Sequence, residues 1–132
     1  MSMTDELGAY LEAMGVGTLG VDLFLAGLPD EPAAAVALTE YGGEQPTFAH
    51  GAPGVNTERR RFQLVARAET EPAARARAEQ VNAVLVGIRN QALSGTWYLG
   101  VYPLQSPFPL GADGNGRPRY VCNYQVEKAV SA

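Results

Sequence analysis

The chain has 132 residues, with ten Lys and Arg against fourteen Asp and Glu, a net charge of −4 and 46% hydrophobic residues. That length predicts one domain, 1–132, able to bury a core without metals or disulfides. The acidic balance argues against general nucleic-acid binding, and the single cysteine, Cys122, excludes an intramolecular disulfide and a cysteine-rich zinc site.

No leader or membrane span is visible: the N-terminus is acidic and the longest apolar runs are broken by Gly, Asp or Pro, so synthesis in the cytoplasm is expected. Residues 4–14 read as a short helix capped by Thr4, with Asp5 and Glu6 at its positive end and Leu7, Tyr10, Leu11 and Met14 on one face. Gly15 stops it, with Val16 packing back in a Schellman-type ending. Val21, Leu23 and Leu25 alternate with Asp22 and Phe24, which predicts a strand over about 20–27. Pro29 and Pro32 then make a turn. The run AAAVALTEY is short, contains Val36, Leu38 and Thr39, and is fenced by Pro32 and Gly42-Gly43, so it reads as a strand despite its alanines.

Residues 42–58 are expected to be a long loop, rich in Gly, Pro, Asn and Thr and ended by Arg59, Arg60 and Arg61. The stretch 61–101 follows as strand, helix, strand. Phe62, Leu64, Ala66 and Ala68 alternate with polar residues; Ala74, Ala78, Val81, Leu85 and Ile88 form one stripe, with Arg75, Glu79, Asn82 and Arg89 facing water. Thr70 caps this helix, and Asn90 with Ser94-Gly95 ends it. Trp97, Leu99 and Val101 then alternate with Tyr98, Gly100 and Tyr102. Residues 103–118 read as a second long loop whose end, Asp113-Gly114-Asn115-Gly116, is a tight turn. In the last strand Tyr120, Cys122, Tyr124 and Val126 share one face, and residues 129–132 are expected to fray.

Residues able to carry chemistry are few. His50 is the only histidine and lacks Cys or His partners, so an exposed loop residue is the stronger reading. Cys122, alternating with tyrosines, reads as a small core residue rather than a nucleophile. The glycines of GADGNG precede a strand, which favours a hairpin turn over a phosphate cradle, and the turn is too short for a calcium loop. Arg59, Arg60 and Arg61, with Arg67 nearby, form a basic cluster suited to phosphates or an acidic partner; the alternative is a solvated strand edge. Arg75 and Arg77 are partly offset by Glu71 and Glu79. Nothing suggests a metal, a cofactor or a preformed catalytic pocket.

Four stretches carry a resemblance to a known family. They are LGAYLEAMGVGTLGVDLFLAGLPDEP, ALTEYGG with the Pro-rich loop after it, RFQLVARAETEPAARARAEQVNAVLVGI, and GTWYLGVYPLQSPFPLGADGNGRPRYVCNYQVEK. In this order and spacing the chain resembles the phage minor capsid, or tail terminator (tail completion), proteins of long-tailed phages. The resemblance implies an α+β domain that assembles as a ring, most often six-fold, at the head-proximal end of the tail. There it would meet the major tail-tube protein and the head-completion or adaptor proteins, without catalysis. It implies a place in the virion, with assembly in the host cytoplasm, and DNA crossing the lumen without specific binding.

The expectation is therefore an α+β fold: one mixed or antiparallel sheet of roughly four or five strands with two helices packed on it. The expected contacts to neighbouring subunits or the lumen are Arg59, Arg60, Arg61, Arg67, Asp113, Asn115, Arg117 and Arg119, together with the 42–58 loop. The rival functions are another head–tail connector or tail-tube protein of the same fold and, further off, a small ligand-binding or enzymatic domain.

Overall fold

The structure, a computed structural model, describes residues 2–43, 47–48 and 56–130. Helix α1 spans Met3–Ala13. Its cap is Ser2, whose hydroxyl accepts from the Asp5 backbone N–H at 3.2 Å while the Asp5 carboxylate accepts from the Ser2 N–H at 2.9 Å. Thr4, the expected cap, lies inside the helix and is buried. The reciprocal box decides between them: Asp5 stands three residues after Ser2, whereas three residues after Thr4 stands Leu7, which has nothing to return. The helix ends as expected. Gly15 takes φ +77°, its N–H donates to the Glu12 carbonyl at 3.0 Å, and that of Val16 donates to the Leu11 carbonyl at 3.1 Å.

The expected strand over 20–27 is reduced to β1, Leu23–Phe24. Asp22 is the reason for the late start: its carboxylate accepts from the Thr18 N–H at 2.7 Å and holds residues 18–22 in a turn. Strand β2, Ala35–Gly43, forms where AAAVALTEY predicts it. It continues two residues past Tyr41, across a bulge between Glu40 and Gly42. Within the expected 42–58 loop, β3 (Thr47–Phe48) pairs with the beginning of β4 (Asn56–Arg67). Arg59, Arg60 and Arg61 are thus inside a strand rather than at a loop's end. Residues 44–46 and 49–55 of that loop, His50 included, lie outside the described residues.

Helix α2, Glu71–Val86, is capped by Thr70, whose hydroxyl accepts from the Ala73 N–H at 3.3 Å. Ala74, Ala78, Val81 and Leu85 are buried along it, as the stripe predicts. It stops earlier than expected. Gly87 caps it, Ile88 enters the core, and β5 (Arg89–Leu93) turns back through Ser94 and Gly95 into β6 (Thr96–Pro103). Ser94 and Gly95 have φ of +51° and +86°, the pair of positive values that a two-residue hairpin turn demands. A bulge between Tyr98 and Gly100 breaks the expected alternation in β6, so Tyr98 and Val101 both reach the core while Trp97 is exposed. The expected 103–118 loop contains β7 (Phe108–Ala112), which pairs with β8 (Pro118–Ala129).

The sheet follows the order β1-β2-β4-β8-β6-β5, with β3 added beside β4 and β7 beside β8. That makes eight strands among the described residues, two of them only two residues long, so the expected count is too low. The undercount comes from β3 and β7, hidden in Gly- and Pro-rich segments, and from β5, whose first residues read as the end of the helix. The α+β class holds: β1–β2 is parallel and the other pairs are antiparallel. Both helices pack on one face, over Val36, Leu38, Phe62, Leu64, Tyr124 and Val126.

Three tyrosines on that face tie the helices down through their hydroxyls. Tyr98 donates to Glu6 of α1 at 2.8 Å, and Tyr120 and Tyr124 donate to Glu71 and Asn82 of α2 at 3.0 and 2.6 Å. Phe62 and Tyr124 stack across β4 and β8 with ring centroids 4.9 Å apart. Burial and the bond to Glu6 raise the Tyr98 phenol well above its ordinary pKa, and burial does the same for Tyr124.

Candidate interaction surface

The strand register sorts the basic cluster onto two faces. Arg59 and Arg61 share the face away from the helices with Gln63, Asn123, Gln125 and Glu127, while Arg60 lies on the helix side with Phe62 and Val126. The three arginines therefore do different work. Arg59 pairs with Glu127 at 3.3 Å. Arg60 pairs closely with Glu40 and, at 3.5 Å, with Glu58. Arg61 makes no ion pair among the described residues.

Arg67 is on the open face but only 3% exposed. It donates from Nε to the Ala33 carbonyl at 2.9 Å and from Nη2 to the carbonyls of Pro29 and Pro32 at 2.6 and 2.7 Å. Asp113 lies 3.7 Å from its Nη1. Burial, and then the nearby positive charge of Arg117, lower its pKa. This guanidinium is engaged inside the domain, where it joins the 29–33 turn to the β7–β8 turn at the end of the groove.

The β7–β8 turn is ordered around Asp113. Its carboxylate accepts from the N–H groups of Asn115 and Arg117, both at 2.9 Å, and from Arg117 Nε at 2.9 Å. These bonds, led by the Arg117 backbone N–H, hold the Asp113 pKa down to about 2. Arg117 reaches back to the Asp30 carbonyl at 2.5 Å, and Arg119 donates to the carbonyls of Gly111 and Ala112, both at 3.2 Å. Of the eight expected contact residues, the fold brings Arg67, Asp113, Asn115, Arg117 and Arg119 to one end of the open face, places Arg59 and Arg61 further along it, and turns Arg60 to the other side.

A groove of about 510 Å³ lies on this face, floored by Ala37, Thr39, Gln63 and Val65 and walled by residues 26–30 and 110–115. It continues past Thr39 and Gln63 into a second hollow bordered by Tyr41 and Asn123. Gln63 donates to Asn123 at 3.1 Å along the floor. Tyr41, Trp97 and Tyr102 are exposed, and the Arg89 guanidinium sits 4.4 Å from the centre of the Tyr102 ring. Gly100 makes that stack possible, because a Cβ there would lie 2.5 Å from the Tyr102 hydroxyl. The reading of Arg89 as a helix residue facing water misses this stack. The one usable signal was the Ser94-Gly95 turn, which implies a strand before it as well as after it.

Cys122 is buried, donates to the Gln105 carbonyl at 3.1 Å, and has its pKa raised by burial, the opposite of what a thiolate nucleophile needs. Among the described residues no cluster of His, Cys, Asp or Glu could hold a metal ion, and no helix is long and apolar enough to cross a membrane.

The described residues thus form an α+β fold with one sheet face free of helices and furnished with polar and aromatic side chains. A family model described as "Bacteriophage tail terminator protein" matches residues 10–130, and the chain belongs to that family, whose members are structural proteins of the virion. Among solved structures, a chain from "Virion of native gene transfer agent (GTA) particle" is similar in fold, with a TM-score of 0.67 and 16% identity, over 98% of this chain and 96% of that one. A search of curated proteins finds no match.

Proposed function

We propose that the protein forms a homo-oligomeric ring, a hexamer, that caps the head-proximal end of a phage tail tube and joins it to the head. Its partners are further copies of itself, the major tail-tube protein below and head-completion or adaptor proteins above. The ring assembles in the host cytoplasm and enters the virion, and the genome crosses its lumen without specific binding. The role is structural rather than enzymatic. The observation that carries the reading is the family match over residues 10–130. The open sheet face suits it, since a ring subunit needs surfaces furnished for neighbours. Arg61, Asn115 and Arg119 are the expected contacts best placed on that face.

Electron microscopy of particles made with this gene deleted tests the proposal. Overlong tails, or tails unjoined to filled heads, are expected. Particles with heads and no tails at all would instead mark a tube protein, and normal particles would overturn the virion role.

A further inference from the structure

The helix-free face is electrically unlike the rest of the chain. Among the described residues it carries Arg59, Arg61, Arg67, Arg89, Arg117 and Arg119 against Asp30, Asp113 and Glu127, a positive excess within a protein of net charge −4. On the opposite side of the sheet, α2 exposes Glu71 and Glu79, with Glu69 just before it. Arg75 answers Glu79 at 3.0 Å, and Glu69 has no ion-pair partner among the described residues. Between its charges α2 exposes Ala73, Ala76 and Ala83, small residues that let a helix approach a surface closely. The groove on the open face has two walls and a floor of small and amide side chains.

We infer that the open face receives the exposed side of α2 from a second copy of this chain, in a head-to-tail contact. The inference rests on the ring reading above and names the surfaces that meet. A closed ring needs two different patches that fit each other, and these two lie on opposite sides of one domain, so every copy offers both. Pairing two open faces would instead bring together two surfaces that each carry an excess of positive charge, which is electrostatically unfavourable. Nucleic acid is a poorer occupant. Arg59 is paired with Glu127, Arg89 is stacked on Tyr102, and Arg119 is tied to two carbonyls, whereas phosphate binding draws on several uncommitted cations.

The test joins the two surfaces chemically. Gln125 lies on the open face beside Arg61, and Gln80 is exposed on α2. The full chain carrying Gln125→Cys and Gln80→Cys together, oxidised in solution and on assembled tails, is expected to give a disulfide-linked ladder up to the full ring. Each single variant is expected to give none. In parallel, Arg61→Glu and Glu79→Arg are each expected to raise the concentration needed for assembly on the order of tenfold, and the two together to restore most of it. Unchanged melting of each variant shows that folding is intact. Dimers from Gln125→Cys alone would overturn the inference in favour of a face-to-face contact. Oligomers of full ring mass without cross-links or charge effects would overturn it and leave the ring standing. A chain that stays monomeric in solution and on tails would overturn the ring and this inference with it.

Discussion

Glu58 and Lys128 stand directly opposite each other on β4 and β8, joined 2.8 Å apart with both side chains nearly sealed from water. Lys128 also stands opposite Tyr98 of β6, whose hydroxyl donates to the Glu6 carboxylate at 2.8 Å, as that of Thr96 does at 2.5 Å. The two halves of the pair are not equivalent. Glu58 keeps a second cation, Arg60, at 3.5 Å, whereas among the described residues the other contact of Lys128 is the Ala129 carbonyl at 3.5 Å. Glu58→Leu therefore leaves a buried ammonium unpaired and is expected to cost about 3–5 kcal/mol. Lys128→Met is expected to cost less, because Arg60 still faces Glu58. The double variant should recover most of the loss, read by chemical denaturation of all four proteins.

The stripe under α2 predicts a harsher outcome. Ala78 and Leu85 have no accessible surface, so Ala78→Asp or Leu85→Asp places a carboxylate against the sheet with no partner. Either variant is expected to unfold the domain. Circular dichroism with a thermal ramp would show it, and wild-type melting in either one would mean that the helix packs by another face.

Arg67 holds the 29–33 turn through geometry as well as charge. Arg67→Lys keeps the charge but loses the fork that reaches the carbonyls of Pro29, Pro32 and Ala33 at once. A loss of roughly 2–3 kcal/mol is expected. Calorimetry showing equal melting temperatures would mean that the turn is held by something else.

Acid should loosen the β7–β8 turn. The Asp113 carboxyl is held near 2, below its usual 3.8, so its contribution to stability is complete above about pH 4 and fades as pH falls towards 2. Asp113→Asn removes that contribution at every pH. The stability gap between wild type and variant is therefore expected to be widest above about pH 4 and to narrow towards pH 2. A gap that is flat with pH would assign the effect of the substitution to shape rather than charge.

Much of the core was legible in residue order, because the periods that define α2, β4 and β8 are long and uninterrupted: Ala74 to Leu85, Phe62 to Ala66 and Tyr120 to Val126. Legibility failed where one residue resets the period. The bulge before Gly100 sends Tyr98 and Val101 to the same side, and no alternation rule anticipates that. It failed again at short strands such as β3 and β7, which are held by neighbours rather than by their own composition. The basic cluster was visible as a cluster but not as three destinies. A strand sends Arg60 opposite to Arg59 and Arg61, so reversing all three charges would also crowd Glu40 and Glu58 with a third carboxylate. Arg61→Glu alone is the cleaner probe of assembly.

Strand β8 has a neighbour on both sides along nearly all of its length. β4 flanks one side throughout, and β6 and β7 divide the other, with the Leu104 N–H bridging to the Asn123 carbonyl at 2.8 Å between them. Amide protons in β8 and the facing part of β4 can thus reach solvent deuterium only when the whole domain opens, while the outer amides of β7 exchange by lifting one short ribbon. The molecule divides into a slow kernel threaded by β8 and a fast rim that carries the groove's wall. That rim can yield to a neighbour during assembly without disturbing the kernel's fold.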